Sequence, residues 1–143
     1  MGSPLYMAPE IVLGKPYDAK VDVWSLGCIV NIMLTGNAPF FGKTQNDIFK
    51  ATVHKQPVFG KAKRVLSPSA INFINDCLQK DPYERLSAQE LLDHPWLTRH
   101  IEDQEIDGEI MQEIFNDMKT FTQQNVFQTH VISYLRTMTL QAD

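Results

Sequence analysis

The sequence has few of the features that mark specialised protein classes. Among 143 residues there are only two cysteines, Cys28 and Cys77, which lie far apart in apolar surroundings rather than in a paired spacing. The four histidines show no i, i+4 pairing. We therefore expect buried, reduced thiols and assign no metal-binding residues. A disulfide framework is not needed for folding, because a chain of this length can bury an adequate hydrophobic core.

The excess of one sign of charge over the other is also small. The net charge is only -4, and no strongly basic face is evident, which argues against a nucleic-acid partner. The one tight basic cluster, Lys61, Lys63 and Arg64, is interpreted as a solvated loop. Acidic residues concentrate in the last part of the chain, where residues 101–143 hold eight acidic and two basic side chains.

Long hydrophobic runs are missing as well. The longest one, residues 23–34, is too short to span a bilayer and predicts a buried helix. The first residues lack the basic start and apolar stretch of a signal peptide. We therefore expect no membrane partner and a cytoplasmic location.

The apolar residues that are present recur at helical spacing, without strand-like alternation, so the predicted fold class is all-α. Residues 1–18 are rich in glycine and proline and predict a loop with at most one helical turn. Residues 19–34 are apolar on every side and predict a helix buried nearly all round. Gly36 and Pro39 are expected to end it.

Three further helices are predicted because a polar capping residue precedes each apolar stripe. These capping residues are Thr44 or Asn46, Ser67, and Ser87. The second helix is expected to end near Gln79. The third, with Glu90 completing a capping box, is expected to stop at His94 and Pro95.

The last forty residues carry a separate amphipathic pattern. One apolar stripe comprises Ile106, Ile110, Ile114, Met118 and Phe121, with Met111 and Phe115 beside it, and a second comprises Phe127, Val131, Leu135 and Met138. We predict a partial domain over residues 1–100 and an amphipathic helical tail over residues 101–143.

Three motifs carry a family resemblance: GSPLYMAPE at residues 2–10, DVWSLG at residues 22–27 and DPYER at residues 81–85. In order and spacing they resemble the large, C-terminal lobe of the eukaryotic protein kinases. The Gly-Ser-x-x-Tyr-x-Ala-Pro-Glu pattern is similar to that of serine/threonine kinases rather than tyrosine kinases. The structural residues that the resemblance assigns are Ala8, Pro9, Glu10, Asp22, Trp24, Gly27 and Arg85.

The resemblance also implies roles for these residues. Glu10 would pair with Arg85, although two separate surface charges are the alternative. Asp22 would accept hydrogen bonds from the backbone of the catalytic loop, or it serves only to start a helix. Trp24 would be a core residue under either interpretation.

The resemblance implies a substrate-binding loop formed by Ser3, Pro4, Leu5 and Tyr6. Ser3 would hydrogen-bond the catalytic aspartate, while the other three would receive the substrate residue that follows the phosphorylated one. Packing alone is the alternative explanation of Tyr6.

The ATP-binding and catalytic motifs of a kinase are absent from these 143 residues, which contain no HRD, no DFG and no GxGxxG. In the family, all of them precede the GSPLYMAPE segment. We therefore assign no catalytic residue and no cofactor to this chain, and we expect it to be inactive alone. ATP and Mg would be cofactors of the complete kinase.

A closer resemblance is to the calcium-dependent protein kinases of the calcium/calmodulin-regulated group. It is carried by FFGKT at residues 40–44, LSA at residues 86–88 and HPWL at residues 94–97. The tail, with MKTF at residues 118–121, is similar to the junction segment of that group. The regulatory tail residues would be Phe121, Phe127, Val131 and Leu135.

The tail departs from the group in being acidic, so no basic pseudosubstrate is evident. No EF-hand calcium loop occurs either. A calcium sensor would therefore lie beyond Asp143 or on another chain.

The leading hypothesis is the C-terminal part of a serine/threonine kinase that phosphorylates protein substrates. Its partners would include the missing N-terminal lobe and catalytic loop and a calcium sensor. The alternative is a non-catalytic helical module that binds proteins, and a third option makes the tail a part of the core or a dimer seam. Without the rest of a kinase, we expect exposed apolar surface near the start of the long helix and a tendency to aggregate.

Overall fold

The computed structural model describes residues 3–98 and 108–123, the last three of these by their backbone alone. Two short 3-10 turns, Pro4–Tyr6 and Gly60–Arg64, accompany the helices. The helices in chain order are α1 (Pro9–Val12), α2 (Lys20–Thr35), α3 (Gln45–His54), α4 (Pro68–Cys77), α5 (Ala88–Leu92), α6 (Pro95–Thr98) and α7 (Gly108–Gln123). The predicted all-α class is confirmed, since these described ranges contain helices and turns but no strand.

The ends of the helices follow the predicted chemistry. Gly36 ends α2 in the left-handed conformation, with φ of 74°, and its N–H donates to the carbonyl of Ile32. A non-glycine residue adopts such a φ only with strain. Of the two candidate caps for α3, Thr44 is the one used, in a reciprocal capping box with Asp47.

The caps of α4 and α5 were also predicted correctly. The Ser67 hydroxyl accepts from the amide of Ala70, and Ser87 and Glu90 form the expected capping box. The predicted stop of α5 before His94 and Pro95 is confirmed, since α5 ends at Leu92; Pro95 then starts a one-turn helix, α6, that was not predicted. Proline is well tolerated at the first helical position, where no amide is required.

The core lies between α2 and α4, with Phe40, Ala51 and Leu91 closing it. Gly27 allows the two helices to approach, since a Cβ at this position would lie 2.5 Å from Cβ of Cys77. Cys28 and Cys77 are both buried and unpaired, as predicted. Burial raises the pKa of both thiols, that of Cys77 to about 12.

The expectation that α2 is buried nearly all round is wrong. One side of the helix is buried, but Leu26, Ile29 and Met33 on the other side are 41%, 46% and 62% exposed. We call these three residues the open face of α2. They share one side of the helix because they are spaced by three and four positions. Within the described ranges, α4 and the core aromatic rings cover only the opposite side.

The tail helix α7 packs against the C-terminal end of α2 and against the Gly60–Arg64 turn. Ile114 is buried there, whereas Met111 and Phe115 are exposed, so the predicted stripe faces the lobe. Gly36 again permits the close approach, because an added Cβ would lie 2.7 Å from the amide nitrogen of Met118. The basic turn predicted as solvated is exposed at Lys61, which forms a 3.2 Å ion pair with Glu113.

A bilayer-spanning helix, one of sufficient length and apolarity, does not occur in the part of the chain that the structure describes.

Candidate functional site

The Pro4–Tyr6 turn is held against the first half of α2. The amide of Tyr6 donates to the carbonyl of Ser3 at 3.1 Å, which closes the turn. The Ser25 hydroxyl of α2 donates to the carbonyl of Tyr6 at 3.0 Å, and Leu5 is buried beneath the turn. Partial burial raises the pKa of the Tyr6 hydroxyl. The predicted loop residues therefore lie together, on one fixed piece of backbone.

Among the four loop residues, Ser3 has a buried polar side-chain atom without a partner in the described part of the chain. Its Oγ is buried, and within residues 3–98 and 108–123 it makes no hydrogen bond. A buried hydroxyl without a partner is unfavourable, and most such groups in folded proteins are paired. This property fits a group that hydrogen-bonds to a segment outside the described residues.

Glu10 and Arg85 form a buried, bidentate ion pair, which is the arrangement that the resemblance implies. The two guanidinium–carboxylate distances are 2.6 and 3.0 Å, and Glu10 and Arg85 are 4% and 1% exposed as whole residues. The alternative of two separate surface charges is wrong. Since the two planar groups match in shape, each oxygen of the carboxylate receives its own N–H donor.

Arg85 also makes two hydrogen bonds to backbone carbonyls, at 3.0 Å to Gln79 and at 3.1 Å to Lys20. Its guanidinium therefore joins α1, the start of α2 and the residue that directly follows the C-cap of α4. Each of the three guanidinium nitrogens therefore donates to an acceptor. A buried ion pair is stable only when its remaining hydrogen-bonding groups are paired in this way. Three distant stretches of sequence are brought to one point.

Trp24 lies at the centre of this arrangement. Its ring stacks on Phe40, with centroids 5.4 Å apart and planes 11° apart, and the Arg85 guanidinium lies 5.1 Å from the Trp24 centroid. Ala8 is fully buried and belongs to the same cluster, and Pro9 is also buried. Six of the assigned motif residues are therefore buried and form a scaffold next to the Pro4–Tyr6 turn: Ala8, Pro9, Glu10, Trp24, Gly27 and Arg85.

Asp22 lies apart from this scaffold. It is exposed in the first turn of α2, on the same side of the helix as the open face. Both interpretations of its role fit this location: a helix-start carboxylate, or an acceptor for another segment that would cover the open face.

Two contributors to the site were missed by the sequence analysis. Lys80 lies over the Trp24 and Phe40 rings, and the Lys20 ammonium donates to the carbonyl of Pro82 at 2.9 Å. Lys80 directly precedes the DPYER motif. Its position next to a motif that contains the buried Arg85 is the signal by which the sequence could have indicated its role.

The tail residues could be located only in part. Phe121 lies within the backbone of α7, and its side chain, together with Phe127, Val131 and Leu135, lies outside the described residues. The described part of the tail contacts the far end of α2, roughly 16 Å along the helix axis from Ser25 at 1.5 Å per residue. No cluster of His, Cys, Asp or Glu suited to a metal ion occurs among the described residues.

A helical lobe in which an Ala-Pro-Glu segment, a long central helix and a later arginine meet in this way has the organisation of a kinase C-terminal lobe. Comparison with known proteins agrees with the geometry. The protein kinase domain profile matches residues 1–97. The chain therefore belongs to the protein kinase family, and the predicted serine/threonine kinase lobe is confirmed.

Curated relatives refine the placement within the family. The chain is 39% identical over 122 residues to CDPK-related kinase 8 and 36% identical over 129 residues to calcium-dependent protein kinase 1, both of Arabidopsis thaliana. It is 33% identical over 136 residues to a probable myosin light chain kinase of Dictyostelium discoideum. These matches cover 85%, 90% and 94% of the chain, and the last therefore extends well into the tail.

The same matches cover only 20%, 21% and 34% of the three relatives. The chain thus spans about a fifth of the length of the two plant kinases. The predicted kinship with the calcium-dependent protein kinase group is confirmed by these similarities.

Proposed function

We propose that this chain is the substrate-binding C-terminal part of a serine/threonine protein kinase, and that it is catalytically silent alone. The observation that carries the proposal is the buried Glu10–Arg85 pair, because it ties α1 to the start of α2 and to the residue that directly follows the C-cap of α4. The Pro4–Tyr6 turn is held against the same helix α2 by the Ser25 hydroxyl. Fixed positioning supplies most of the catalysis of phosphoryl transfer.

The remaining chemistry would come from segments that precede the lobe in a complete kinase. Such an enzyme uses ATP and Mg and transfers the γ-phosphoryl group to a serine or threonine hydroxyl of a protein. The unpaired Ser3 hydroxyl and the exposed Asp22 carboxylate are the groups proposed to bind the catalytic loop. Pro4 and Tyr6 are proposed to contact the substrate, with Leu5, buried beneath the turn, shaping that surface from below. A cytoplasmic location is part of the proposal, since both cysteines are buried thiols.

The first test joins this chain to the N-terminal kinase segment of CDPK-related kinase 8 and measures phosphate transfer from ATP to a serine peptide. We expect the chain alone to transfer none and the joined enzyme to be active. Glu10→Gln in the joined enzyme should reduce its activity, whereas Gln89→Ala, at an exposed position of α5, should not. Activity in the isolated chain would overturn the proposal. A folded but inactive joined enzyme would favour the alternative of a non-catalytic binding module.

Residues 1–100 and 101–143 are proposed as lobe and regulatory tail. The support is that Ile114 is the buried side chain among those described for α7, while the buried core cluster of the described residues lies within residues 8–91. Deleting residues 105–143 should therefore leave cooperative unfolding of the lobe intact. Loss of cooperativity in that deletion would instead make the tail part of the core.

We further propose that the tail binds a calcium sensor through Phe127, Val131 and Leu135, with Phe121 at the start of the binding segment. The amphipathic spacing and the kinship with calcium-dependent kinases support this. A peptide of residues 118–140 should bind calcium-loaded calmodulin with a micromolar Kd. The variant Phe127→Ser/Leu135→Ser should lose at least tenfold in affinity, and equal binding with and without calcium would contradict the proposal.

A further inference from the structure

The C-terminal turn of α3 requires a hydrogen-bond donor from elsewhere in the molecule. The last four carbonyls of a helix have no partner within it, and the carbonyl of Thr52 is one of these in α3. Thr52 is buried, so water is a poor substitute. The structure gives the role to Lys80, whose Nζ donates to the Thr52 carbonyl at 2.5 Å.

The charge on Lys80 is favourably placed for this contact. A cation at a helix C-terminus is stabilised by the helix dipole. The ammonium also lies 3.7 Å from the centroid of the Phe40 ring and 4.9 Å from that of Trp24. Cation–π contacts strengthen when they are desolvated, and Lys80 is partly buried.

The helix that Lys80 holds is itself next to the candidate site, since α3 packs against both α1 and the Pro4–Tyr6 turn. Its near end is fixed by the capping box of Thr44 and Asp47. Its far end has the Lys80 contact. Because α3 packs directly on the Pro4–Tyr6 turn, a shift of its far end would change the position of that turn.

We infer that Lys80 is a positioning residue, which fixes the C-terminal turn of α3 on the lobe and, through α3, the Pro4–Tyr6 turn in the shape that receives a protein substrate. The statement about substrate rests on the proposed function. The mechanical link between Lys80, α3 and the turn does not.

Amide hydrogen exchange on the whole chain tests that link. The amide of Lys55 donates to Ala51 at the end of α3, and that of Tyr6 donates to Ser3 within the turn. In Lys80→Met we expect both amides to exchange at least tenfold faster. The amide of Ile71, which donates to Ser67 at the start of α4, should change less than threefold.

Three variants separate positioning from general stability. Lys80→Arg keeps a cation and should restore at least half of the lost protection on a logarithmic scale. Lys80→Gln keeps a hydrogen-bond donor without the charge and should show an intermediate loss of protection at Lys55 and Tyr6. This variant replaces Lys80→Met in the test if Lys80→Met does not fold. Lys50→Met, at an exposed lysine of α3, is the matched control and should exchange as the wild type does.

An equal acceleration at Lys55, Tyr6 and Ile71 would overturn the inference, because it would mean a loss of global stability only. So would unchanged exchange at Tyr6 together with faster exchange at Lys55, since α3 would then not be coupled to the turn. These outcomes are independent of phosphate transfer, so failure here is distinguishable from failure of the kinase proposal.

Discussion

The two sides of α2 are both apolar, yet only one of them is buried. Trp24 and Cys28 lie on the side that packs against α4 and the core rings, and both are fully buried. The open face of α2, formed by Leu26, Ile29 and Met33, remains exposed. Contiguous apolar surface of this kind usually marks an interface. The difference shows that apolar sequence alone does not determine which side of α2 is buried.

The largest effect is expected on the buried side, at the ion pair that ties the lobe together. Glu10→Gln should lower the free energy of unfolding by about 3–5 kcal/mol, because Arg85 is left as an uncompensated buried charge. Urea denaturation measures the loss. The double variant Glu10→Gln/Arg85→Met should recover part of it, since no charge is then stranded. A loss below about 1 kcal/mol for Glu10→Gln would contradict the burial of the pair.

A matched pair of truncations compares the two sides of α2 directly. Val23→Ala removes two buried methyl groups and should cost about 2 kcal/mol in unfolding free energy. Ile29→Ala, on the open face, should change it by no more than about 0.5 kcal/mol. Equal costs for the two variants, measured by the same denaturation, would mean that the open face is covered in the isolated chain.

The pH dependence of stability sharpens the account of the buried side. Burial lowers the pKa of Lys80 to about 8, against an ordinary value of 10.5. Between these values the unfolded chain binds a proton that the folded chain does not, so this group makes stability rise with pH. The unfolding free energy of the wild type minus that of Lys80→Met should therefore increase from pH 8 to pH 10. The subtraction is needed because the buried thiols of Cys28 and Cys77 act in the opposite direction above pH 9. A flat or falling difference would show that Lys80 is not desolvated.

The smallest effect is expected at the exposed contact between lobe and tail. Lys61 and Glu113 are both exposed, and such pairs contribute about 0–1 kcal/mol. Lys61→Ala should therefore leave α7 docked, whereas Ile114→Ala should release it. Hydrogen exchange across α7 distinguishes the two. Release by Lys61→Ala would mean that charge, and not the buried Ile114, holds the tail helix.

Much of the lobe could be predicted from the sequence because its signals are local. The caps at Ser67 and Ser87 and the end of α2 at Gly36 depend on residues within a few positions of one another. The ion pair of Glu10 and Arg85, 75 positions apart, came from the family motifs instead. No local pattern links those two residues.

The features that were missed are those set by surroundings. Helical periodicity shows that Ile29 and Met33 are apolar, but it cannot show whether a neighbour exists to cover them. The contact of Lys80 with Thr52 likewise joins two segments whose proximity follows only from the packing of α3 against the lobe.

The proposal that this chain is one part of a larger kinase domain predicts that the open face of α2 is covered in the complete enzyme. Peroxide oxidation of Met33, followed by mass spectrometry, tests it most directly, with the exposed Met111 of α7 as the internal reference. In the isolated chain both methionines should be oxidised readily. When the chain is joined to an N-terminal kinase segment, oxidation of Met33 should slow at least fivefold while that of Met111 stays the same. Unchanged oxidation of Met33 in an active joined enzyme would contradict the claim.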